Sequence, residues 1–232
     1  MKKQNLMEEY RVAMDKTNIF VNAFPWQEKE KYIGWLSQTY YFVRHSTRLL
    51  ALAGAHAPFG QQSLHQRMVQ HIREEMGHEI LAVNDIKALG GNIQEIAELP
   101  ETKAFVQNQY FYIQNRSSCA FMGYILFLEG LSSQKGPMIL SLAREAFPSN
   151  AINFIRIHAE EDQEHIQSAF EAMESVPADQ LEAVIDNMHL SCDLYERMLK
   201  SVKDKVPYLN LPSKDLGLNF PLNAKYSRRA TV

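Results

Sequence analysis

The chain has 232 residues, 46% hydrophobic and 22% charged, with 24 Lys plus Arg against 27 Asp plus Glu. A sizeable core can form, wholesale disorder is excluded, and a net charge of −3 argues against nucleic acid as a partner. Two cysteines, Cys119 and Cys192, are too few for a disulfide framework. No secretory signal follows Met1, and the strongest apolar run, Cys119 to Leu131, is shorter than the ~20 residues of a membrane span. A soluble, cytoplasmic protein is expected, folded as a helical domain over 1–203 with an irregular tail over 204–232.

Apolar residues recur at helical spacing, and no alternating strand pattern appears. The spacing predicts a helix over 5–23, ended by Phe24-Pro25-Trp26, and a long aromatic one over 28–54. Ala57-Pro58-Phe59-Gly60 is a turn. A third helix is expected over 61–89, capped by Gly90-Gly91. Helices follow over 101–114 and 116–133, with Gln134-Lys135-Gly136-Pro137 as a break, then 138–146. Ser149 or Asn150 is placed to cap a long helix reaching about 175, and 178–203 is the last. The tail, with Pro207, Pro212 and Pro221, has no helical period. An all-α bundle of seven to eight helices is implied.

Two segments share the pattern H-x-x-x-[DE]-x-x-H: His71-Ile-Arg-Glu-Glu75-Met-Gly-His78 and His158-Ala-Glu-Glu-Asp162-Gln-Glu-His165. At about 100° per residue, positions i, i+4 and i+7 fall on one helix face. Two such faces opposed across a bundle would gather imidazoles and carboxylates, which is how bundles build metal sites. Mixed nitrogen and oxygen donors without cysteine suit iron or manganese better than structural zinc. Glu129 closes the apolar run Ala120–Leu128. On a central helix its carboxylate would be buried and would need a cation or hydrogen bonds. Gly77 and Gly130, each beside one of these residues, would allow close approach of helices.

Each feature alone has a blander explanation. Glu75 and His78 are a common surface pair, Glu160 and Glu164 read as a solvated acidic face, and Glu129 could meet water at a helix end. These do not explain three helices each offering such groups on faces able to converge. The aromatics Tyr32, Trp35, Tyr40, Tyr41 and Phe42 read as core, and Cys119 as a small buried apolar residue. Neither a nucleophile elbow nor a phosphate-binding glycine loop is present.

At these residues the chain resembles the haem-oxygenase-like di-iron oxidases, within the haem oxygenase/TenA/PqqC superfamily, over roughly 10–203. Glu75 and His78 match that family's carboxylate–histidine pair, Glu129 its lone core glutamate, and His158, Asp162 and His165 its final triplet. Some members place the first carboxylate seven residues before the histidine, where this chain has His71. With Glu75 as the ligand, His71 is an extra ligand, a group behind the ligands, or a bystander. The resemblance implies a seven-helix fold, two iron ions per chain (or a manganese–iron pair), and activation of O₂ to oxidise a small organic substrate such as a fatty acid, amine or amino acid. It assigns His78, His158 and His165 as nitrogen ligands and Glu75, Glu129 and Asp162 as oxygen ligands. Glu129 is also the expected catalytic residue. Phe121, Tyr124 and Phe127 are candidate pocket walls, and a homodimer is in keeping with the superfamily.

Three rivals remain at this stage. A TenA-like hydrolase of thiamin-type pyrimidines would need no metal and would use a cysteine, for which Cys119 is the candidate. A ferritin-like di-iron protein would need a glutamate from an early helix, where only Glu28 and Glu30 are available. A non-catalytic binding protein on the same fold would bind no metal. Haem degradation is disfavoured because residues 5–23 contain no histidine.

Overall fold

The computed structural model describes the backbone of residues 3–208, and all side chains within it except those of residues 3, 4 and 161–164. Among the described residues there are nine α-helices: α1 (Lys3–Asn22), α2 (Lys29–Val43), α3 (Ser46–His56), α4 (Gln62–Glu75), α5 (His78–Ala88), α6 (Pro100–Asn115), α7 (Phe121–Ala146), α8 (Asn153–Ala172) and α9 (Leu181–Asp204). The helical reading of the sequence holds, and so does the bundle.

The apolar run that precedes Glu129 is buried on all sides. Phe121 through Phe127 are each shielded from solvent, which makes α7 the central rod. It packs along α8 and α9 and touches α1. At Gly123 a β-carbon would collide with the Val184 carbonyl oxygen of α9, so the two backbones lie in direct contact there. At Gly130 the Tyr10 ring of α1 occupies the space a side chain would need. The close approach expected beside Glu129 is therefore present.

Three expected boundaries are corrected. The rod over 28–54 is interrupted at Arg44–His45, where the His45 amide bonds to the Phe42 carbonyl at 3.0 Å, one residue short of helical register. Both side chains are held by α6 and the loop before it: His45 Nδ1 lies 3.0 Å from the Tyr110 hydroxyl, and Arg44 reaches Glu98. The rod over 61–89 breaks at Met76–Gly77, because Gly77 is left-handed at φ 92°. No atom lies within 4 Å of a β-carbon built there, so Gly77 serves backbone conformation and not close packing.

The third correction is a merger: α7 runs unbroken through Pro137. Ile139, Leu140 and Ala143 continue its buried face, Gly136 sits against Ala159 of α8, and Pro137 itself faces solvent. Tertiary burial on both sides outweighs the missing amide donor. Counting each broken rod once gives seven. Among the described residues the only β-pairing is an isolated bridge between Ile96 and Tyr208. It pins the chain just after α9, with the Ala97 amide 2.7 Å from the Pro207 carbonyl. The remainder of the expected tail lies outside the described residues. No described helix is long and apolar enough to cross a membrane.

Candidate metal centre

α4 ends at the site, and its last residues supply His71, Glu74 and Glu75. The left-handed turn at Gly77 then re-aims the chain, so that His78 opens α5 facing the same space. α8 brings His158 and His165, two turns apart, from the opposite side. Its start is held by a residue distant in sequence. Asp85 of α5 is fully buried and accepts the Phe154 amide at 2.7 Å and the Asn153 side-chain amide at 3.0 Å. This long-range cap takes the role expected of Ser149 or Asn150, and burial raises the Asp85 carboxyl above its usual range.

The ligand-bearing atoms form two adjacent triads. Those of Glu75, His78 and His158 lie within 4.8 Å of one another, and so do those of His71, Glu74 and His165. The His78 and His158 rings are 4.7 Å apart, and those of His71 and His165 5.9 Å. His71 joins the triads: its Nε2 is 3.5 Å from Glu75 and 3.2 Å from Glu129. Glu129 is 5% exposed, and Arg67 of α4 approaches it at 3.6 Å while donating to Glu74 at 2.8 Å. His158 Nδ1 is 2.8 Å from the Phe154 carbonyl, which fixes the tautomer that donates from Nδ1 and leaves Nε2 as the ligand atom.

Electrostatics follow from this crowding. Burial by itself would raise the Glu75 carboxyl. The hydrogen bond with His71 and the fields of His71, His158 and His78 outweigh it and bring Glu75 down to about 2. Glu74 is pushed up by burial and pulled down further by Arg67, His71 and His165, so it also sits below the usual range. Both are ionised at neutral pH. A cluster of four imidazoles and three carboxylates, closely packed and screened from solvent, is a donor set suited to iron or manganese.

Residues 33–196 match the profile of a family described as iron-containing redox enzymes. The chain belongs to that family. This haem-oxygenase-like redox protein finds no match among curated proteins. Its fold is similar to that of a Shewanella denitrificans domain of unknown function with a heme oxygenase-like fold, at 20% identity, TM-score 0.75, covering 87% of this chain and 92% of the other. It is also similar to a TenA homolog from Pseudomonas syringae pv. tomato, at 18% identity, TM-score 0.74, with 86% and 91% covered. A CADD-like protein of unknown function from Nostoc punctiforme follows at 14% identity, TM-score 0.65, with 87% and 99% covered. At these identities the likeness is one of fold.

Of the residues singled out in the sequence of this haem-oxygenase-like protein, the structure brings Glu75, His78 and His158 into one triad and places His165 in the other. Glu129 lies against His71. The Asp162 side chain lies outside the described residues. Sequence reasoning missed Glu74, whose signal was present: His71-x-x-Glu74 has the same i, i+3 spacing as Glu75-x-x-His78. It also missed Arg67 and Asp85, which no local pattern marks.

A cavity opens beside the first triad, with His71, Glu75, Glu129 and His158 in its wall. Most of its remaining lining is apolar, including Trp35, Phe42, Phe121, Tyr124 and Phe154. Two aromatics read as plain core, Trp35 and Phe42, therefore line it. Of the three expected wall residues, Phe121 and Tyr124 do so, while Phe127 is fully buried against Tyr195 and is not part of the lining.

Proposed function

We propose that this protein is a non-haem di-iron oxidase that uses O₂ to oxidise a small organic molecule held in the apolar cavity. One observation carries the reading: two triads of histidine and carboxylate stand side by side, linked where His71 of one meets Glu75 of the other and Glu129, and His71, Glu75, Glu129 and His158 face a cavity. His78, His158 and His165 would donate nitrogen, and Glu75, Glu129 and Asp162 oxygen. His71 and Glu74 complete the second triad. Iron bound by these residues would supply part of the electrons for reduction of O₂, the substrate being oxidised supplying the rest.

The chain's own residues set the conditions for that chemistry. Gly77 turns His78 toward Glu75. The Phe154 carbonyl holds His158 Nδ1–H, and Asp85 fixes the start of the helix that carries both. Arg67 places one positive charge beside both Glu74 and Glu129. Aromatic and aliphatic side chains form most of the cavity wall, which favours an apolar guest.

The TenA-like hydrolase fares less well on this geometry. Cys119 is fully buried, burial pushes its thiol up, its Sγ lies 3.1 Å from Gln61, and it is not part of the cavity wall. The decisive experiment is anaerobic titration with Fe(II), followed by metal analysis and by O₂ uptake on addition of candidate substrates. About two irons per chain and substrate-triggered O₂ uptake are expected. Absence of iron binding, or no preference for iron over zinc, overturns the proposal.

A further inference from the structure

The cavity is selective in what it offers a guest. Its charged groups are all on the metal-centre wall: His71, Glu75, Glu129 and His158. Among the described residues lining it there is no lysine or arginine. A carboxylate, sulfonate or phosphate group lodged away from the metal centre would therefore meet no cation, and would lose its hydration without compensation. An ammonium would find only Glu75 and Glu129, and both are already engaged by His71, with Arg67 beside Glu129.

Three hydroxyls on the wall lack a hydrogen-bond partner, those of Thr39, Tyr124 and Ser132, and two of them belong to fully buried residues, whereas Ser132 is half-buried. Thr39 of α2 is 1% exposed and Tyr124 of α7 is 3% exposed, and both line the cavity. Neither Thr39 Oγ1 nor Tyr124 Oη has a hydrogen-bond partner. Buried hydroxyls normally find partners within the fold, and a pair left open on the wall of one cavity is a polar feature waiting for a guest. Tyr124 is clamped by Phe121, stacked at 5.3 Å, and by Phe105 at 5.0 Å, so its ring cannot swing to another acceptor. A tyrosine hydroxyl is protonated at neutral pH and so can donate as well as accept.

We infer that the substrate is an uncharged, mainly hydrocarbon molecule carrying one hydroxyl or carbonyl group, and that Thr39 and Tyr124 are the residues that recognise that group. This deepens the oxidase reading, since it names the class of molecule presented to the metal centre. It departs from the expectation drawn from the sequence: fatty acids, amines and amino acids, all charged at neutral pH, are disfavoured, and neutral alcohols, phenols, aldehydes and ketones are favoured. The aromatic walls supply affinity through burial of hydrocarbon, and the two hydroxyls supply orientation.

The test uses the full-length protein, dialysed against chelator, and measures binding by calorimetry. The probes are octyl alcohol, octanoate, octylamine and, as a purely apolar control, toluene. Octyl alcohol is expected to bind at least about tenfold tighter than either ionic probe. Thr39→Val and Tyr124→Phe, both close to isosteric, should each weaken octyl alcohol by up to roughly tenfold while leaving toluene affinity and thermal midpoint unchanged. That split separates recognition of the hydroxyl from a structural role. Octanoate or octylamine binding as tightly as the alcohol overturns the inference. So does retention of native octyl alcohol affinity in both variants. The measurement involves neither iron nor oxygen, so failure here leaves the iron count standing, and failure to bind iron leaves this result standing.

Discussion

Gly77→Ala is a substitution whose sign depends on the architecture. If residues 61–89 were one helix, as their apolar period suggests, Ala for Gly in its interior would stabilise by about 1 kcal/mol. In the structure Gly77 has φ 92° and separates α4 from α5. An alanine there costs about 1–2 kcal/mol of backbone strain. A steric term is absent, because nothing lies within 4 Å of the added β-carbon. For a chain of this length that strain lowers the thermal midpoint by roughly 2–8 °C. Gly77→Asn should lose less than Gly77→Ala, because asparagine tolerates the left-handed region. The assay is thermal unfolding of the metal-free protein, followed by circular dichroism. Since His78 immediately follows the turn, relief of the strain by backbone rotation would also displace it from Glu75. Iron affinity should therefore fall along with stability. An alanine variant more stable than the native protein would refute the reasoning, because it would mean that the helix continues through Gly77.

His158→Ala and His165→Ala each remove an imidazole from a different triad, so each should lower the iron bound per chain by about one without unfolding the bundle. Normal iron content in either variant, by metal analysis, would remove that residue from the ligand set. Glu129→Gln keeps the shape and removes the charge beside Arg67 and His71. Its helical signal should be unchanged while O₂ uptake with a true substrate falls by at least about tenfold; unchanged uptake would contradict a role in the chemistry. The Glu75 carboxyl, at about 2 in the folded protein against an ordinary 4.5, contributes stability that is present above about pH 4.5 and lost as pH falls toward 2. Urea midpoints of the metal-free protein at pH 5 and pH 3 should therefore fall more for the native chain than for Glu75→Gln. Equal losses would mean that Glu75 is not held ionised by its histidine neighbours.

Much about this protein could be read along the chain, because the information is local. Helical periodicity is written within each segment, and so is the spacing that puts His158 and His165 on one side of α8. The apolar run before Glu129 announced a central helix with a carboxylate on it. Boundaries were less legible where distant contacts compete with local signals. Pro137 should break α7, yet burial of Ile139, Leu140 and Ala143 carries the helix through. Ser149 and Asn150 offered a local cap, yet Asp85 supplies it from across the bundle.

The site shows the same division. Glu74 and Glu75 are adjacent and about 100° apart on a helix, so a sequence pattern that selects one face selects one of them. In the folded protein α4 ends in the seam between α7 and α8, and both carboxylates face histidines there, one in each triad. The amino-acid sequence by itself determined the helices and the supply of imidazole and carboxylate ligands. Tertiary packing alone decided how those ligands divide between two triads, that Arg67 stands beside Glu74 and Glu129, and which aromatics line a cavity. The reason is that a helix's own period sets the angles between its side chains, while its rotation about its axis is set only by what it packs against.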